Sequence, residues 1–146
     1  AGAWTVEDVL EFMQPDITEK GIELVRNLGQ DVGRADLDVR QVSQMLQNLL
    51  INAVQAVGEK GRIEVLTRRI AERIRIEVSD NGPGIPHDSI HKIFDVFYTT
   101  KEGGTALGLS IVKQIAEAHG GRITAVNQPS SGAVFTIELP RSAPTA

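Results

Sequence analysis

Arg73-Ile-Arg-Ile-Glu-Val-Ser-Asp80 alternates polar and apolar residues without a break, and Asn81-Gly82-Pro83-Gly84-Ile85 follows directly. A period of two marks a strand with one buried face. Residues 62–69 alternate in the same way, so the two runs read as strands joined by a short turn. Ile74, Ile76 and Val78 fall on one side, Arg73, Arg75 and Glu77 on the other, and the alternation puts Asp80 on the apolar side. A carboxylate facing a core must find donors, because burying an unpaired charge is costly. Gly82 and Gly84 carry no side chains, which predicts a gap beside Asp80 where a ligand lies against bare backbone. The exocyclic amine of adenine is a natural donor for such a carboxylate. The plainer reading is an Asx-type turn, common before Asn-Gly, in which Asp80 caps its own backbone. Both can hold at once.

Upstream, Asp36-Leu-Asp38 leads into a long helix over 39–57, ended by Gly58. Val42, Met45, Leu46, Leu49, Leu50, Ala53 and Val57 share its apolar face. Gln41, Gln44, Asn48, Asn52 and Gln55 form a second face, and no charged residue occurs from Gln41 to Gly58. A solvated helix face usually favours Glu, Lys and Arg, and Asn is mildly unfavourable inside a helix. The amides therefore either satisfy neighbouring backbone or meet a polar ligand across a buried face. Magnesium prefers oxygen donors, keeps several waters and binds together with substrate phosphates. One amide oxygen on an uncharged face suits it.

The rest of the chain fills in around these pieces. A helix is expected over 5–13, stopped by Pro15, then a strand over 21–28. Residues 90–94 suggest a short helix, 98–105 a loop, and 107–119 a helix ended by Gly120-Gly121. Strands over 122–127 and 133–139 flank a Pro-Ser-Ser-Gly turn. The order α-β-α-β-β-(loop)-α-β-β implies an α/β two-layer sandwich, a mixed sheet with its helices on one face.

Gly103-Gly104-Thr105-Ala106-Leu107-Gly108-Leu109-Ser110 supplies the third glycine-rich element. The helix that opens near Leu107 offers unpaired amide donors and the positive end of a dipole, a ready phosphate site. Lys101, just ahead of it, is placed to meet the same phosphate. Phe94 and Phe97 read as core anchors. Such a loop can order on nucleotide and open without it.

Composition narrows the partners. The 146 residues are one domain's worth, taken as a single unit over 1–146 with its core over about 6–140. The net charge of −4 and the lack of a basic run argue against nucleic acid. Without cysteine there is no disulfide framework or thiolate metal site, in keeping with a cytoplasmic setting. No apolar run approaches the roughly 18 residues needed to cross a bilayer. The ends, 1–3 and 141–146, read as fragment edges, so a membrane-anchored parent stays open.

These residues resemble the ATP-binding catalytic domain of sensor histidine kinases, in the superfamily of gyrase, heat-shock chaperone, histidine kinase and mismatch-repair ATPases. Asn48-Leu-Leu-Ile-Asn-Ala-Val-Gln-Ala56 is similar to its asparagine box, Asp80-Asn-Gly-Pro-Gly84 to its first glycine box, and Ile93-Phe-Asp-Val-Phe-Tyr-Thr-Thr-Lys101 to its phenylalanine box. Residues 103–109 resemble the second glycine box, and 132–140 the closing strand. The resemblance implies a Bergerat-type fold that takes ATP with Mg2+. It implies Asn52 as metal ligand, Asn48 and Lys101 as catalytic, and Asp80 as the adenine ligand. Gln55, Gly82, Gly84, Ile85, Tyr98, Thr99, Thr100, Thr136 and the Gly104, Thr105, Ala106, Leu107, Gly108, Leu109 turn would complete the nucleotide site.

Two departures stand out. Ala106 occupies a place where the family usually has glycine, which would restrict the backbone or crowd phosphate. The family's phosphoacceptor histidine, followed by an acidic residue on a dimerising helix, is missing, and His87, His91 and His119 read as surface or packing residues. The fragment, expected to be monomeric by itself, would therefore pass a phosphoryl group to the phosphoacceptor domain of the same kinase, and onward to a response regulator. Related chaperone ATPases carry a water-activating glutamate where this chain has Asn48, so transfer is expected over hydrolysis. An anti-sigma-type serine kinase and an ATP-gated conformational clamp are the competing readings.

Overall fold

The computed structural model describes residues 6–29, 39–58, 60–95 and 106–140. Three helices, α1 (Val6–Glu19), α2 (Val39–Val57) and α3 (Ala106–Ala118), lie against five strands. The strands are β1 (Glu23–Leu28), β2 (Arg62–Ile70), β3 (Arg73–Asp80), β4 (Arg122–Asn127) and β5 (Ala133–Pro140). They form one sheet in the order β1-β2-β3-β5-β4, with β1 parallel to β2 and every other pair antiparallel. The element order and the mixed sheet with helices on one face are as the sequence leads one to expect.

Alternation builds the sheet's two faces. Val65 pairs with Val78 and Val78 with Phe135, while Ile76 pairs with Ile137, and all of these are buried. The same face meets the apolar stripe of α2, where Met45, Leu46, Leu49, Leu50 and Ala53 are almost fully enclosed. α2 is central, with α1 beside it over β1 and α3 beside it over β4 and β5. At roughly 1.5–3 kcal/mol per enclosed large side chain, this stripe anchors the domain.

Two local expectations fail. α1 does not stop at Pro15 but continues to Glu19. Proline removes the amide that would bond the Glu11 carbonyl, a loss of about 3 kcal/mol in a helix interior. Glu11 and Pro15 are exposed, so water can take up that carbonyl, and Ile17 two residues on is fully buried. Its burial, with a Gln14 Nε2 to Thr18 Oγ1 bond of 2.8 Å, carries the helix past the break. Residues 90–94 form turns rather than a helix. The Ser89, Lys92 and Asp95 amides each donate to a carbonyl three residues back, at Pro86, Ser89 and Lys92, at 2.7–2.9 Å. Five residues are too few to offset helix nucleation, and the segment is held instead by buried Ile93 and by Phe94. The Phe94 ring meets Phe135 edge-on at 6.3 Å, the core role expected of it.

Candidate functional site

β3 brings Asp80 to the inner face, 3% exposed, in register with Ile63 on β2. Its carboxylate is aimed by its own turn, since Oδ1 accepts the Gly82 amide at 2.9 Å. The Asx-type turn and the inward-facing carboxylate are therefore one arrangement.

Each glycine packs against protein on the side where its side chain would stand. A Cβ on Gly82 would stand 2.8 Å from the Ala56 carbonyl oxygen, and one on Gly84 2.8 Å from Asn127 Oδ1. Both glycines let protein approach protein, and Gly84 also sits at a φ of +85°, which side chains rarely adopt. The contact at Gly82 matters for another reason. It ties the end of β3 to the helix that carries the asparagines.

Asn48, Asn52 and Ala56 follow at intervals of four along α2 and so share one face. Ala56 meets the Asp80 segment at Gly82, and Asn48 Nδ2 reaches the Gly108 carbonyl in the first turn of α3 at 3.4 Å. Eight residues of helix, about 12 Å, separate the two contacts. Asn52 lies between them. One helix face thus runs from an oriented carboxylate to a helix N-terminus, past two half-buried amides. The wider amide face is not buried as expected: Gln41, Gln44 and Gln55 are exposed. Only the two asparagines that lie toward α3 are drawn in.

Other expected residues are distributed unevenly. Gly82, Gly84 and Ile85 belong to the Asp80 segment, and half-buried Gly108 and Leu109 to the start of α3. Ala106 opens that helix and Leu107 follows it. Alanine adopts helical backbone freely, so the expected restriction of backbone angles at Ala106 does not arise. Tyr98, Thr99, Thr100, Lys101, Gly104 and Thr105 lie outside the described residues.

Thr136 is a correction. It pairs with Glu77 and stands between buried Phe135 and Ile137, so it projects from the outer face, away from Asp80. That outer face carries its own charge cluster. Glu138 accepts from Arg122 Nε and Nη2 at 3.1 and 2.9 Å and lies 3.7 Å from Arg75 Nη2. The Arg122 bond foremost, aided by the two guanidinium charges, holds its carboxyl below the ordinary 4.5, against the opposing pull of burial.

Sequence reasoning placed the turn between β4 and β5 but missed what it holds. Asn127 Oδ1 accepts the Ile85 amide at 2.7 Å while its Nδ2 donates to the Ile85 carbonyl at 2.9 Å. Gln128 Nε2 donates to the Asp80 carbonyl at 3.0 Å, and Ser131 Oγ to the Gly82 carbonyl at 2.7 Å. An Asn and a Pro-Ser-Ser-Gly run are ordinary turn residues, and nothing local to them names partners more than forty positions away.

The family described as histidine kinase-, DNA gyrase B-, and HSP90-like ATPase matches residues 37–143, which span α2, the Asp80 segment and α3. The chain belongs to this family. Sensor histidine kinase ZraS of Escherichia coli K12 is 36% identical to it over 131 residues, covering 90% of this chain and 28% of ZraS. The catalytic domain of histidine kinase ThkA matches its fold with a TM-score of 0.87 at 35% identity, covering 94% of this chain and 90% of that one. ThkA in complex with the response regulator protein TrrA matches at 0.82 and 31% identity, covering 94% of this chain and 41% of that one. The ATPase domain described here therefore has the fold of histidine kinase catalytic domains. It spans under a third of the length of the curated relatives it matches.

Proposed function

We propose that this ATPase domain binds Mg-ATP along the α2 face and donates the γ-phosphoryl group to a histidine on a separate dimerisation domain of the same kinase. The observation that supports this is the continuous line from Asp80 through Ala56, Asn52 and Asn48 to Gly108. Adenine's exocyclic amine would donate to Asp80, and the phosphates would lie toward the start of α3, where unpaired amides and the helix dipole favour anions. Lys101, Gly104 and Thr105 would serve as phosphate ligands.

The donor set suits magnesium. No group of three or more His, Cys, Asp or Glu lies together among the described residues, and Asn52 offers a neutral oxygen on a face without charge. A hexahydrated hard cation gives up few waters and takes its remaining oxygens from phosphate. When bound, the ion would neutralise charge on the phosphates; the chain's own part is to hold adenine and triphosphate in line.

Phosphoryl transfer depends on positioning and on charge neutralisation. The bond from the γ-phosphorus to the bridging oxygen breaks, ADP leaves with the electron pair, and a new bond forms to an imidazole nitrogen. Asn48 cannot take up a proton at neutral pH, so a base for the incoming imidazole would come from the acceptor domain. The same amide makes water activation slow. The phosphohistidine would in turn supply a response regulator, the kind of partner seen with ThkA. The domain would work in the cytoplasm, where ATP is available. Among the described residues no helix is long and apolar enough to cross a membrane.

Incubation with γ-labelled ATP and a dimerising histidine-bearing domain tests the proposal. Acid-labile, base-stable label on that domain is the expected result. Acid-stable phosphoserine on a partner, or phosphate release with no acceptor, would overturn it.

A further inference from the structure

The residues that orient Asp80 are themselves held from outside by the β4–β5 turn. Residues 81–86 belong to no helix or strand, yet their backbone is heavily pinned. Asn127 satisfies both polar groups of Ile85 with one side chain, imitating a strand partner. Ser131 Oγ donates to the Gly82 carbonyl at 2.7 Å, and Gln128 to the Asp80 carbonyl at 3.0 Å. Gly132 packs so closely that a Cβ there would overlap the Asp80 carbonyl oxygen. On the opposite side, Gly82 rests on Ala56 of α2.

Gly82 is also the donor that aims the Asp80 carboxylate. Moving Gly82 or Ile85 therefore turns Asp80. We propose that Asn127, with Ser131 behind it, is a positioning residue that sets the direction of the Asp80 carboxylate and so the discrimination between purine bases. This rests on the adenine-binding reading of Asp80 given above. Asn127 and Ser131 are exposed, so they bury little apolar surface and their removal spares the core. The amide's two roles are distinct, because an Asp at 127 still accepts from the Ile85 amide but sets a carboxylate against the Ile85 carbonyl.

The test is calorimetric titration of the whole chain with ATP and with purine riboside triphosphate, which lacks the 6-amino group, alongside thermal melts. The wild-type chain should prefer ATP. Asn127→Ala should weaken ATP about tenfold, the worth of one or two hydrogen bonds, while the purine analogue changes less than about threefold and melting stays cooperative. Asn127→Asp should fall between. Ser131→Ala, which removes the bonds to the Gly82 and Asn81 carbonyls, should lower the ATP preference about threefold, and it serves if Asn127→Ala does not fold. An unchanged preference in the folded variants, or equal losses for both nucleotides, overturns the positioning role and leaves the adenine reading intact. A wild-type chain without preference overturns both.

Discussion

Asp80 and Glu138 are carboxylates on β3 and β5, strands paired side by side, yet they project from opposite faces of the sheet. Asp80 is held by a neutral backbone amide and is buried on the inner face. Glu138 is held by Arg122 and approached by Arg75. A carboxylate between guanidinium groups has its charge answered by the protein itself. One aimed by a backbone amide on the inner face stands where the proposed ligand would meet it. Strand parity alone decides which is which, and it also explains why Thr136 sides with Glu138.

The contrast breaks most directly at Asp80. Asp80→Asn keeps an oxygen for the Gly82 amide, so the melting temperature should stay close to wild type. It loses the charged acceptor for adenine, and ATP affinity should fall roughly 10- to 100-fold, the range of a charged hydrogen bond. Titration that finds wild-type affinity in a folded Asp80→Asn chain would place Asp80 in the same structural class as Glu138.

Ala106→Gly separates the phosphate end of the line from its base end. If the methyl crowds phosphate, ATP should bind a few-fold more tightly, about 1 kcal/mol, with the ATP-to-purine-analogue ratio unchanged. Helix propensity predicts a cost of up to about 1 kcal/mol at the start of α3. Equal nucleotide affinities in the two chains would remove crowding as an effect.

Glu138→Gln sharpens the comparison from the other side. It should leave ATP affinity unchanged and lower stability by about 1 kcal/mol at pH 7, since its partner Arg122 is mostly exposed and the pair is screened by water. The folded-state pKa of Glu138 lies below 4.5, so its stabilising effect is present above that value and fades as pH falls through the folded pKa. Urea melts at pH 7, 5 and 3 should show the gap between wild type and Glu138→Gln closing toward pH 3. A gap that widens in acid would mean the arginines do not stabilise the ionised form.

Much of the fold could be read before any coordinates. The bounds of α2 at 39 and 57 and of β4 at 122 and 127 agree with the periodic reading, and Asp80 lies on the side that alternation assigns it. Periodicity is a property of neighbouring residues, and one buried face is enough to reveal it. The passage of α1 through Pro15 was not legible, because a local penalty was outweighed by the burial of Ile17. The glycines at 82 and 84 were legible as sites that need glycine, but not as sites packed against Ala56 and Asn127.

By itself, then, the chain's alternation determined the strands, the amphipathic helix and an inward carboxylate, since each depends only on the spacing of apolar groups. What surrounds that carboxylate was decided by tertiary structure. Pairing β5 between β3 and β4 brings Asn127 to Ile85 and Ser131 to Gly82. Hydrogen bonds are short and directional, so partners this far apart in sequence meet only once the whole sheet has set their register.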